Sequence, residues 1–97
     1  MNNLLTIIYA PEESDLLPFF DKATHWLPET SEDTSDIYQL QNVVCTTKFS
    51  ILEMLKILII EGTIPFDKVI WINATNHRDR TAYTFSPLGE LNNFFKV

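Results

Sequence analysis

Glycine is scarce, at two residues in 97, and cysteine scarcer still, at one. With so little glycine the chain is neither collagen-like nor low-complexity, and it holds no phosphate-cradling loop: neither G-x-G-x-x-G nor G-K-[ST] occurs. Cys45 has no partner for an internal disulfide. No C-x-x-C or Cys/His spacing suits zinc and no Asp-x-Asp-x-Asp-Gly loop suits calcium, so the expectation is no cofactor and no metal. Long apolar runs are also missing. The richest, Phe49 to Ile60, is 12 residues long and carries Glu53 and Lys56, against the roughly 20 apolar residues of a membrane span. The opening Met1 to Tyr9 lacks the basic start and long apolar core of an export signal, which sets the expectation of a cytoplasmic protein and removes meaning from the sequon Asn73-Ala74-Thr75.

Positive charge is missing from one region in particular. Between Met1 and Asp36 stand eight acids, Glu12, Glu13, Asp15, Asp21, Glu29, Glu32, Asp33 and Asp36, against the single base Lys22, whereas the rest of the chain is nearly balanced. The formal charge of −6 therefore belongs to the first third. Such a surface repels phosphate backbones and anionic lipid, and the scattered bases Lys68, Arg78, Arg80 and Lys96 are too few to reverse that, so neither nucleic acid nor membrane is expected as a partner.

The apolar residues, 45% of the chain, suffice for one core and one domain over residues 1–97. Leu4 to Tyr9 reads as a buried strand that stops at Pro11. Leu16, Phe19, Phe20, Ala23, Trp26 and Leu27 recur at helical spacing, which predicts a helix capped by Ser14 or Asp15 and ended by Pro28. Glu29 to Asp36 is a solvated loop. Ile37 to Val44 reads as a second strand and Phe49 to Ile60 as a helix, with Ser50-x-x-Glu53 spaced as a capping box and Gly62 as its stop. Val69 to Asn73 and Thr81 to Phe85 predict a hairpin around the polar stretch 74–80. Ser86-Pro87 predicts the start of a last helix carrying Leu88, Leu91, Phe94 and Phe95. The order β-α-β-α-β-β-α implies an α/β fold with a four-stranded mixed sheet.

Three segments, Ile7-Ile8-Tyr9-Ala10-Pro11, Gly62-Thr63-Ile64-Pro65 and the hairpin leading into Leu88 to Phe95, give the chain a resemblance to the thioredoxin-like fold. The resemblance implies a cis-proline at Pro65. It does not bring the family's redox pair, because Glu12-Glu13-Ser14-Asp15 occupies the corresponding loop. A truncated Rossmann-like or receiver-like sheet is the alternative, suited by Phe66 to Ile72.

Two places offer chemistry. Cys45 falls between a predicted strand and a predicted helix, where amides can lower a thiol pKa, although no Arg follows six residues on and neither His25 nor His77 is placed as its base. His77-Arg78-Asp79-Arg80 concentrates an imidazole and two guanidinium groups in one turn, an arrangement able to clamp an anion. Cys45 and His77 are thus the candidates for catalysis in a small thiol- or anion-handling enzyme. The reading better matched to the charge distribution is a non-catalytic interaction or regulatory protein, of inhibitor or immunity type. Its binding residues would be Glu12, Glu13, Asp15, Glu29, Glu32, Asp33 and Asp36, with Arg78 and Arg80 at a second polar contact, and its partner another protein with a basic surface. Finally, nine of the 12 residues from Phe49 to Ile60 are apolar, more than one sheet face can cover; Phe94 and Phe95, the Trp26 helix or a second copy of the chain could supply the cover, and a homodimer with this helix near the interface is the expectation.

Overall fold

The computed structural model describes residues 4–32, 34–74 and 81–96, with side chains described as far as Asn92. Strand β1 is Leu5–Tyr9, a β-branched run that lies in the middle of the sheet. A short 3-10 helix, η1, follows at Glu13–Phe19, then an edge strand β2 at His25–Leu27 and a second 3-10 turn, η2, at Ser35–Ile37. Strand β3 (Val43–Thr46) leads into α1 (Ser50–Ile60), the one α-helix among the described residues, and a 3-10 turn at Phe66–Lys68 leads into β4 (Val69–Asn73). Strands β5 (Thr81–Phe85) and β6 (Leu91–Lys96) follow.

All the strands join one mixed sheet of six in the order β2-β3-β1-β4-β5-β6. The pairs β2/β3, β3/β1 and β1/β4 are parallel, and β4/β5 and β5/β6 are antiparallel. A parallel pair cannot be joined by a tight turn, and α1 supplies the crossover from β3 to β4. The pleat sorts the core. Leu5, Ile7, Val44, Val69 and Trp71 meet Ile51, Leu52, Leu55 and Ile59 of α1 on one face. Ile8, Ala10 and Cys45 meet Leu16 of η1 on the other.

Four expectations are corrected. The helix expected across residues 15–27 is instead η1 plus strand β2. Pro18 leaves a short 3-10 segment, Glu12 occupies the cap position with no side-chain cap hydrogen bond, and His25, Trp26 and Leu27 pair with Val44, Cys45 and Thr46. The last helix is instead β6. Ser86 Oγ accepts from the amides of Leu88 (3.3 Å) and Glu90 (3.2 Å), and Gly89 takes φ +78°, so the segment that reads as a helix start is a hairpin turn. These two changes turn a sheet of four into one of six. The second strand starts at Val43, not Ile37, because Ile37 closes η2 and Gln41, at φ +79°, turns the chain just before it. The capping box is not formed, since Phe49 rather than Ser50 precedes the helix and no side chain caps it.

Other readings agree with the structure. Helix α1 ends at Gly62, at φ +79°, with the Gly62 amide donating to Ile59 O (3.0 Å) and the Thr63 amide to Leu58 O (2.9 Å), the paired bonds of a Schellman ending. β4 and β5 form the expected antiparallel pair, with Trp71 opposite Tyr83. No cis peptide occurs among the described residues, so the bond before Pro65 is trans, unlike the one the resemblance implied.

Candidate functional site

The parallel strands β1, β2 and β3 all end on the same edge of the sheet, and in open α/β sheets that carboxyl edge is where loops converge. Here the convergence is tied by three consecutive residues. Thr46, wholly buried, donates from Oγ1 to Leu27 O (2.8 Å) and accepts from the Lys48 amide (2.9 Å). Thr47 Oγ1 accepts from the Glu29 amide (3.0 Å), and Lys48 Nζ donates to Glu29 O (3.3 Å). The backbone at Glu29 is thereby fixed beside β3. Burial raises the Tyr9 phenol above its usual range, and the negative charge of Glu29 raises it further. The Tyr9 ring stacks on Trp71 at 5.5 Å and meets Phe49 edge-on at 5.3 Å, which builds an aromatic ledge where α1 begins.

Glu12, on the loop after β1 at this edge, and Glu13, the first residue of η1, are both exposed, with Asp15 half-buried in the first turn of η1. Glu29 and Glu32 are exposed on the loop after β2, and Asp36 is exposed in η2. The acids expected to bind are thus brought to the surface on two loops. Asp33, and with it His77, Arg78 and Arg80, lie outside the described residues.

The second loop leans over α1 and leaves an open groove of about 520 Å³ between them. Its carbon surface comes from Tyr38, Met54 and Leu58. Among the described residues of the lining, Thr34, Ser35, Gln39 and Thr63 are neutral and polar, and Glu32 is the one carboxylate. The Tyr38 hydroxyl and Thr34 Oγ1 are 3.5 Å apart; burial raises the phenol's pKa, an effect the bond to Thr34 partly offsets. A smaller hollow of about 200 Å³ lies by Phe20, Ala23, Thr24, His25 and Trp26, with no carboxylate among the described residues of its lining.

Cys45 does not sit where a nucleophile works. Its side chain is 0% exposed beneath η1, and burial pushes the thiol pKa up to about 11, so at neutral pH it is a protonated thiol packed like a small apolar residue. No group of His, Cys, Asp and Glu among the described residues is arranged to hold a metal ion. No described helix is long and apolar enough to cross a membrane.

Sequence reasoning missed Tyr9, Tyr38, Gln39, Met54, Leu58 and Thr63 as site residues. Five of them carry no charge pattern and become neighbours only when the loop after β2 folds over α1; Tyr9 could have been singled out as the last, half-buried residue of a central strand. The chain matches no protein-family model, no curated protein and no solved structure.

Proposed function

We propose that the chain is a non-catalytic interaction or regulatory protein, of inhibitor or immunity type, that engages a basic protein surface through its acidic first third. The observation that carries this reading is the exposure of Glu12, Glu13, Glu29, Glu32 and Asp36 on loops and short 3-10 turns, outside both core clusters. A folded protein has no packing reason to gather one sign of charge in this way, and the gathered field steers an oppositely charged partner and rejects like-charged ones. The test is affinity against salt for the partner once captured and purified. Binding should weaken roughly tenfold or more between about 50 and 300 mM NaCl, as screening shortens the reach of exposed charges. Affinity that does not change with salt overturns the reading.

Two finer proposals accompany it. The central order β3-β1-β4 with α1 crossing over supports a receiver-like core in preference to the thioredoxin-like one. Exposure of Met54, Ile57 and Ile60 along α1, with Ile60 63% exposed, supports a homodimer through this helix. Light scattering decides the latter: a mass near the 11.3 kDa of one chain ends it.

A further inference from the structure

We infer that two copies of the chain associate about a two-fold axis with their α1 helices antiparallel, so that Glu53 of each faces Lys56 of the other and Phe49 of each packs on Ile60 of the other; this rests on the homodimer proposed above and gives it an orientation. Phe49, Glu53, Lys56 and Ile60 are spaced four, three and four residues apart, the spacing that keeps side chains on one seam of a helix. Phe49, at φ −65° and ψ −27°, already follows the helical path. The seam therefore runs apolar, acid, base, apolar, and reversing its direction exchanges the acid with the base.

That self-complementarity selects a second copy as the occupant. Laid antiparallel about the midpoint between Met54 and Leu55, each Glu53 comes level with a Lys56 and each Phe49 with an Ile60, every match made twice as an isologous interface requires. A parallel pair sets Glu53 on Glu53 and Lys56 on Lys56, which repels. An unrelated partner demands only that the seam complement some other surface, not that it complement itself.

The surface along this seam is built for contact. Phe49 is 53% exposed although its ring is held edge-on to Tyr9 at 5.3 Å and to Trp71 at 6.4 Å, so it presents a fixed apolar surface. At the other end the β5-β6 turn widens the patch. A Cβ on Gly89 would stand 3.3 Å from Ile60 Cγ1, which places the turn against Ile60 and carries the neighbouring Leu88, 71% exposed, alongside it. Ile57, half exposed, adds carbon next to the seam. Glu53, exposed, and Lys56, half-buried, stand between the two apolar ends, where association shields their pairing from water and strengthens it.

The experiment is sedimentation equilibrium of the intact chain and of three charge variants at about 50 mM NaCl, with unfolding stability measured on the same samples. The native chain should sediment as two chains in equilibrium with one. Glu53→Lys and Lys56→Glu should each raise the dimer dissociation constant about tenfold or more, because each turns two symmetry-related attractions into repulsions. The double variant, which again sets opposite charges across the seam, should return to within about threefold of the native value, a recovery that damage to the helix cannot produce. Dimers that persist with unchanged dissociation constants in every variant would overturn the antiparallel seam and leave the homodimer standing. Weakening in both single variants without recovery in the double, or a loss of stability with no loss of association, would likewise overturn the seam, the latter by confining the charge pair to a single helix. A native chain that sediments as one chain would overturn both the seam and the homodimer.

Discussion

The two faces of the sheet are covered very differently. On the α1 side, thirteen buried residues from strands β1 to β5, from α1 and from Ile37 and Ile64 form a continuous cluster. On the η1 side, among the described residues, the buried cluster comprises Ile8, Ala10, Leu16, Cys45 and Ala74, with Phe19, Phe20 and Ala23 only partly covered. The contrast separates roles: the α1 face holds the fold, while the thinly covered side and the loops at the carboxyl edge hold charge that the fold does not need. Helix α1 belongs to both, since Leu55 and Ile59 face the sheet and Met54 and Leu58 face the groove.

Truncations on the two faces sharpen the comparison most. Leu55→Ala empties a fully buried position in the thick layer and should cost about 3–4 kcal/mol by denaturant unfolding. Leu16→Ala removes an equally buried side chain, but the surrounding layer is thin and can collapse, so about 2 kcal/mol is expected. Equal losses would erase the distinction between the faces.

The next effect tests the seam between α1 and the β5-β6 hairpin. A Cβ on Gly89 would stand 2.9 Å from Lys56 O, a backbone atom, and the residue sits at φ +78°. Both the contact and the backbone conformation oppose a side chain, so Gly89→Ala should destabilise by about 2 kcal/mol. Gly62, at nearly the same φ but in open space, should lose only the conformational part, about 1 kcal/mol.

A smaller effect comes from the buried thiol. With its pKa raised to about 11 from the ordinary 9.0, native Cys45 holds its proton more tightly than the unfolded chain does. Its burial therefore stabilises fully below about pH 9, and that contribution is lost as pH rises from there through 11, with the raised Tyr9 and Tyr38 phenols acting in the same direction at higher pH. Thiol titration should show no reaction at neutral pH until denaturant is added. Rapid alkylation of the native chain would contradict the placement of Cys45 in the thin layer.

How far the sequence discloses this architecture follows from which forces act locally. β1, α1, β4 and β5 are legible because their apolar patterns and endings, such as Gly62, are satisfied by near neighbours. β2 and β6 are not, because their pairing partners, β3 and β5, decide their state. The 3-4 spacing from Leu16 to Leu27 does mark residues that pack together, yet Pro18 and the pairing of His25 with Val44 divide the segment between a 3-10 turn and a strand. Ser86-Pro87 carries the same side-chain capping chemistry in a hairpin as at a helix start, and the positive φ of Gly89 together with the pairing of β6 on β5 separates the two. The acidic half of the site could be read as charge along the chain. The groove could not, since it exists only once the second loop lies against Met54 and Leu58.

The central claim is that the exposed carboxylates serve a partner and not the fold. Its most direct test is one protein carrying Glu12→Gln, Glu13→Gln, Glu32→Gln and Asp36→Asn, with unfolding free energy and partner affinity measured on the same sample. All four positions are exposed, and Glu12, at the cap position of η1, makes no side-chain cap hydrogen bond, so stability should stay within about 0.5 kcal/mol of the original while affinity falls by about tenfold or more. Unchanged affinity, or a loss of binding that merely follows a loss of fold, would contradict the account.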